Sequence, residues 1–438
     1  MAFSSGPHAP VPSHEIPLSR PDITDLEIDL VVRTLRSGRL ALGPMAEQFE
    51  KVVASHADCE FGVSVSNGTC GLHMALLALG IGPGDEVITT PFSFIASSNC
   101  ILYVGAKPVF VDICPKTLNM DPERLEAAIT SRTKAIIAVE TFGNPAYMDA
   151  YAQIAQRHEI PLIEDCCEAL GSRLRGRPAG SFGRIGVFAF YPNKQITTGE
   201  GGCIVTNDRR LANVCRSLRN QGRAVADPAA SPGGASGGAN GTGGGGSGGP
   251  SNGGGGAGAL GGASAGSAGF TSGGVGNWLA HERLGFNYRL DEMSAALGLG
   301  QMKRLDEIIH KRQDVARHYI ERLMHVEHLI VPTLSPGVDM SWFVFVVRLD
   351  SAYTRAERDR IITGLRRHDI GASDYFPCIH LQPFYRERFG FAPGSFPIAE
   401  SVSQRTIALP FYNDLPEKDL EIVCQTLEHM IARENLSR

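Results

Sequence analysis

No apolar run in this sequence is long enough to cross a bilayer. The opening residues, Met1-Ala2-Phe3-Ser4-Ser5-Gly6-Pro7, lack the basic and then apolar pattern of a secretory leader. The ten cysteines include no CxxC pair, and HExxH is also missing. Their absence argues against a zinc site and against a disulfide framework. The adjacent pair Cys166-Cys167 is expected to be small core filling rather than a redox pair. A strong excess of either charge is lacking too. The formal net charge is −5, too mild to call for nucleic-acid or membrane-surface partners. The expectation is a cytoplasmic protein with reduced thiols and no metal.

What is present describes a soluble globular chain. It has 438 residues, 43% hydrophobic and 20% charged, and exceeds a single typical core, so two domains are expected. Between residues 61 and 225, strand-like and helix-like patterns alternate. Val63–Val65, Glu86–Thr89, Pro108–Val111, Ala135–Val139 and Leu162–Asp165 read as strands. Leu72–Leu79, Ile95–Tyr103, Pro122–Ile129 (opened by Asp121 as N-cap) and Tyr151–His158 read as helices. Repeated βα units with near-continuous apolar strands predict an α/β fold, a mostly parallel central sheet with helices on both faces. From Pro228 to Ala280 no Lys, Arg, Asp or Glu occurs, and glycine dominates. Such a stretch buries too little apolar surface to offset its ordering entropy, so a disordered insertion is expected. Beyond it, Asp291–His310 and Arg312–His325 read as amphipathic helices and Trp342–Val347 as a strand. Arg355–His368, Ser401–Ala408 and Glu417–Arg433 read as helices. These predict a smaller C-terminal α+β domain. The expected divisions are an N-terminal arm over 1–25, a large domain over 26–224, the insertion over 225–276, an interface segment over 277–295 and the small domain over 296–438.

Four features suit one chemistry. Ser66-Asn67-Gly68-Thr69 falls at a strand-to-helix junction, where free N–H groups and the helix dipole form an anion site; Thr69 as a plain N-cap is the alternative. Asp165 ends an apolar strand at the carboxyl edge of the sheet, where open α/β sheets bind ligands. A carboxylate there holds a pyridinium nitrogen protonated, or else serves as a cap or ion-pair partner. Phe92 and Phe94 follow a strand end, so one could stack on a flat ring, or both belong to the core. Lys194 stands in Phe188-Ala189-Phe190-Tyr191-Pro192-Asn193-Lys194, between two strand-like runs. A lysine at a cleft floor forms Schiff bases with carbonyls; an ordinary surface lysine is the alternative. A phosphate anchor, a stacking ring, an aspartate and a lysine are the groups that pyridoxal phosphate needs.

The sequence resembles the DegT/StrS-type family of pyridoxal-phosphate-dependent nucleotide-sugar aminotransferases. The matching segments are Ser66–Thr69, Gly82-Pro83-Gly84-Asp85-Glu86-Val87-Ile88, Glu164-Asp165-Cys166-Cys167-Glu168-Ala169, the Lys194 stretch, His281–Arg289 and His380-Leu381-Gln382-Pro383-Phe384-Tyr385. The resemblance implies fold type I of the pyridoxal-phosphate enzymes, and a homodimer with active sites at the subunit interface. It implies Lys194 as the Schiff-base lysine and Asp165 as partner of the pyridine nitrogen. Gly68 and Thr69 would be the phosphate anchor, and Phe94 the stacking ring, with Phe92 as alternative. Asn287 would reach the partner subunit's phosphate (Arg289 is the alternative), and His380 would contact substrate. Two positions depart from the family pattern. Ala189 stands where a phosphate-binding serine is frequent. Glu168 stands where Gln or His is frequent near the cofactor's 3′-oxygen; glutamate at this position resembles the perosamine-synthase branch. That branch implies glutamate as amino donor and a nucleotide-linked 4-keto-6-deoxy sugar as acceptor. The rival readings are a sugar 3-dehydratase of the same fold, whose relatives carry histidine in place of the lysine, and a cofactor-binding regulatory or scaffold protein.

Overall fold

The computed structural model describes residues 14–225 and 280–436. The glycine-rich insertion expected from the sequence lies outside the described residues, apart from Val225 at its edge.

In chain order the first nine strands are β1 (Phe61–Val65), β2 (Glu86–Thr89), β3 (Lys107–Phe110), β4 (Thr133–Val139), β5 (Leu162–Asp165), β6 (Arg173–Leu174), β7 (Arg177–Pro178), β8 (Ile185–Ala189) and β9 (Gly202–Thr206). After them come β10 (Leu329–Ile330), β11 (Val338–Asp339), β12 (Phe345–Leu349) and β13 (Thr406–Leu409). A seven-stranded sheet has the order β1-β9-β8-β5-β4-β2-β3. Its pairs from β3 through β8 are parallel, and β9 runs antiparallel to both β8 and β1. Every residue of β2, β5 and β9 is buried, as a sheet covered on both faces requires. Alternate residues feed opposite cores. Ala135 and Ile137 of β4 join Val65, Leu72 and Ile204 on one face, while Ile136 and Ala138 pack with Tyr151 and Met148 on the other. Cys166 is core filling beside Phe49 and Phe190, and all ten cysteines are free thiols.

A second sheet, β10-β12-β13, is antiparallel. Helices Arg355–Arg367 and Glu417–Leu436 close it around Phe345, Val347, Leu365 and Leu427. Here three sequence expectations need correction. The helix expected over Asp291–His310 breaks at Arg304, giving Glu292–Lys303 and Leu305–Leu323. The first of these is buried on most sides rather than amphipathic, and a Cβ on Gly298 would lie 2.6 Å from the Phe49 ring. Arg304 turns the chain while it pairs with Asp22, Glu27 and Glu307. Residue 296, where the small domain is expected to start, lies within the first of these two helices. The stretch Ser401–Ala408 is not one helix: a helix ends at Ser403, and Thr406–Leu409 pairs with β12. The strand expected from Trp342 begins at Phe345, because Trp342 has a left-handed backbone (φ 55). Among the described residues, no helix is long and apolar enough to cross a membrane.

Candidate active site

The site forms at the carboxyl edge of the large sheet. β5 ends in Asp165, held in register between Val139 of β4 and Val187 of β8. The carboxyl is buried. Its Oδ2 accepts the Ser97 hydroxyl at 2.6 Å, and its Oδ1 accepts the Cys167 N–H at 3.3 Å. Ser97 lies in the first turn of helix Ala96–Tyr103, with the Ser93 hydroxyl 2.9 Å away. Sequence reasoning missed Ser97. The available signal was the i, i+4 pair of small polar residues after a strand end, which suits one face of a helix start.

The helix after β1 supplies an anion site. Asn67, not Thr69, is its N-cap: the Asn67 side chain accepts from Cys70 N at 2.9 Å. Gly71 N–H goes to the Asn67 carbonyl. Among the described residues, the first-turn N–H groups of Gly68 and Thr69 are left for another acceptor. Gly68 is required by packing. A Cβ there would lie 2.7 Å from Cys167 Sγ and 2.8 Å from Ala189 Cβ. Ala189, the departure noted in the sequence, thus borders this helix end but brings no hydroxyl to it.

Lys194 is no surface lysine, since its side chain is only 13% exposed. Its Nζ sits 3.8 Å from the centre of the Phe343 ring and 3.6 Å from Glu168 Oε1. Phe343 arrives from the chain just before β12, so the segment leading into the second sheet completes the lysine's surroundings. Glu168 is buried, and its Oε2 accepts the Phe142 N–H at 2.8 Å. Burial pushes the Glu168 carboxyl above the ordinary range, and the Lys194 charge opposes that shift. The Cys167 thiol is pushed up by burial and then by Asp165, while Lys194 pulls it down. Asp165, Glu168 and Lys194 therefore converge on one spot. Phe142 holds a left-handed backbone (φ 60), and Gly143 follows at φ 91 with a Cβ position 2.6 Å from the Glu168 carbonyl. Such backbone strain clusters at working sites.

The remaining expected residues divide. Phe94 is 61% exposed, at the start of the helix that carries Ser97. Phe92 is fully buried against Phe142 and Phe376, so it is core and not a stacking ring. Asn287 is exposed and pairs through its backbone with Asn220, whose side chain takes the Arg289 guanidinium at 2.9 Å. His380 does not reach the site. It is fully buried, with Nε2 3.0 Å from Glu400 Oε1 and its ring against Phe396. It lies within the 3-10 turn Ile379–Leu381, which turns its ring into the core.

An amine, a carboxylate, a helix end with free N–H groups and an exposed aromatic ring thus share one sheet edge. Residues 21–237 and 267–428 match the model of the DegT/DnrJ/EryC1/StrS aminotransferase family. The break between them falls inside the glycine-rich stretch. The chain is 34% identical to the spore coat polysaccharide biosynthesis protein SpsC of Bacillus subtilis (strain 168), over 96% of this chain and 98% of that one. It is 32% identical to a UDP-4-amino-4-deoxy-L-arabinose–oxoglutarate aminotransferase of Shewanella sediminis, over 95% and 98% of the two chains. Among solved structures it resembles S. venezuelae DesV, with TM-score 0.78 and 30% identity over 95% of this chain and 98% of that chain. It also resembles the PLP form of Spr1654 from Streptococcus pneumoniae, with TM-score 0.81 and 25% identity over 96% and 100%.

Proposed function

The chain belongs to the DegT/DnrJ/EryC1/StrS aminotransferase family, and on that premise we propose a pyridoxal-phosphate-dependent aminotransferase of nucleotide-linked sugars. Glutamate is the donor and a 4-keto-6-deoxy sugar the acceptor. The observation that carries this reading is Lys194, enclosed by Phe343 and Glu168 beside the strand end that presents Asp165. Two features support the finer points. The Shewanella relative's name couples a 4-amino sugar nucleotide with oxoglutarate, the keto acid of glutamate. Glu168 matches the branch that handles 4-keto sugars.

The donor set fits the cofactor. The free N–H groups of Gly68 and Thr69 would hold its phosphate. Asp165 would hold its pyridine nitrogen protonated, Phe94 would cover its ring, and Lys194 would attach it. Pyridoxal phosphate supplies the electron sink for the transfer. The protein's own part is positional. Ser97 and the Cys167 N–H fix both oxygens of Asp165. Lys194 Nζ would be the base that moves a proton at the donor's Cα. Glu168, tied to the Phe142 N–H, keeps a carboxyl within reach of that amine.

The same reading takes the protein to be a cytoplasmic homodimer in which Asn287 serves the partner's site. The exposed apolar side chains of Ile23, Leu26, Ile28, Leu35, Leu40 and Leu42 supply a contact surface near the chain's start. Light scattering on the purified protein tests this point.

Lys194→Ala is the test of the whole reading. The variant should lose both the visible absorbance of lysine-bound cofactor and all turnover with glutamate and a panel of nucleotide keto-sugars. Normal turnover would refute the assignment.

A further inference from the structure

Two carboxyl groups meet behind the site, and among the described residues neither has a basic side chain as an ion-pair partner. Glu140 follows the last residue of β4, and Glu164 precedes Asp165 on β5. Both side chains are fully buried. A Glu140 oxygen, a Glu164 oxygen and Cys166 Sγ all lie within 4.8 Å of one another. The Glu164 oxygens are well served: Oε2 accepts Gly180 N–H at 2.9 Å, and Oε1 accepts Gly183 N–H. Neither Glu140 oxygen has any donor among the described residues. The charged groups that bear on Glu140 are Glu164 and Asp165, both acidic, with the Cys166 thiol beside them. Two adjacent anions in a dry interior are prohibitively costly without a counter-ion. One proton between them removes that cost and gives Glu140 its missing hydrogen bond.

We propose that Glu140 and Glu164 share one proton in the folded protein, with Glu140 as the neutral donor, and that Glu140 is thereby a positioning residue for Asp165. The division of labour follows from the partners. Glu164 has two N–H donors to stabilise an anion, and Glu140 has none. Burial and the Glu164 charge both push the Glu140 carboxyl well up, in the same sense. Position follows from the backbone. Glu140 N–H donates to the Asp165 carbonyl at 3.2 Å, and the turn that Glu140 opens places Phe142 N–H on Glu168. A charged Glu140 would push β4 and β5 apart under both carboxyls. The positional part rests on the reading of Asp165 given above; the shared proton does not.

The sign of the pH effect is fixed by linkage. The folded pair keeps a proton that the unfolded chain releases above the ordinary carboxylate range, so stability falls as pH rises from there to the folded pair's own pKa. The test compares thermal unfolding of the full-length protein and of Glu140→Gln from acid to alkaline pH, with and without pyridoxal phosphate. Glutamine mimics the neutral acid. Over that window the wild-type unfolding constant should rise tenfold per pH unit relative to the variant, and the variant should keep its cofactor absorbance. Parallel stability curves would overturn the shared proton. If Glu140→Gln does not fold, infrared spectra of the wild type decide. A buried protonated carboxyl band supports the proposal, and its absence overturns it. Zinc binding that removes that band would make the cluster a metal site and overturn it as well. Glu140→Ala, which removes the donor, should weaken the cofactor absorbance that Glu140→Gln retains; full absorbance in Glu140→Ala would refute the positional role and leave the shared proton standing. Failure of Lys194→Ala to lose activity would leave the proton result standing and sink only the cofactor reading.

Discussion

Ser97 donates its hydroxyl to Asp165 Oδ2 at 2.6 Å, so the carboxylate read as the cofactor's partner is aimed by the first turn of the helix Ala96–Tyr103. Ser97→Ala removes that donor without touching the cofactor directly. A hydrogen bond to a charged group contributes about 1.5–3 kcal/mol. Pyridoxal phosphate affinity should therefore fall roughly tenfold or more, with the fold intact by circular dichroism. An absorbance titration measures it.

Phe92 and Phe94 separate packing from binding. Phe92→Ala empties a site filled against Phe142 and Phe376, and should cost about 3–5 kcal/mol of stability. Phe94→Ala should leave stability within about 0.5 kcal/mol and weaken cofactor binding. Denaturant unfolding and cofactor titration on the two variants should give opposite profiles.

Gly143 is a backbone requirement of the site. Its φ of 91 and the Glu168 carbonyl 2.6 Å from the missing Cβ leave no room for a side chain. Gly143→Ala should destabilise the protein by about 2 kcal/mol or more and displace Glu168. A lowered melting temperature together with reduced kcat is the expected result.

Ala224 N–H donates to the Ala280 carbonyl at 3.3 Å, and Arg223 pairs with His281. The chain therefore leaves and re-enters at one point. Replacing residues 226–279 with about four glycines should preserve fold and activity, and the shorter closure should add about 2 kcal/mol of stability. Denaturant unfolding of the shortened protein checks it. Loss of activity with an intact fold would show that the segment serves the site.

Much of the site was legible because its residues sit at strand ends. Asp165 ends the short strand Leu162–Asp165, and Lys194 follows a second strand-like run, so the alternation of strand and helix alone brings them to one edge. Ser97, Phe142 and Phe343 were not legible. They act on Asp165, Glu168 and Lys194 across long separations in the chain, and no local pattern encodes those contacts. His380 misled for the same reason. Its segment resembles the family, but the choice between cleft and core was made by Glu400 and Phe396. The helix break at Arg304 depended on acidic partners from the chain's start, Asp22 and Glu27.

By itself the sequence determined the parallel sheet, its strand ends and the chemical types gathered there, because hydrophobic periodicity and glycine positions act over a few residues. The tertiary structure decided which Phe is exposed, which acid faces the lysine and which pair of acids must hold a proton. Those outcomes depend on burial and on neighbours from distant segments, and only the packed chain supplies both.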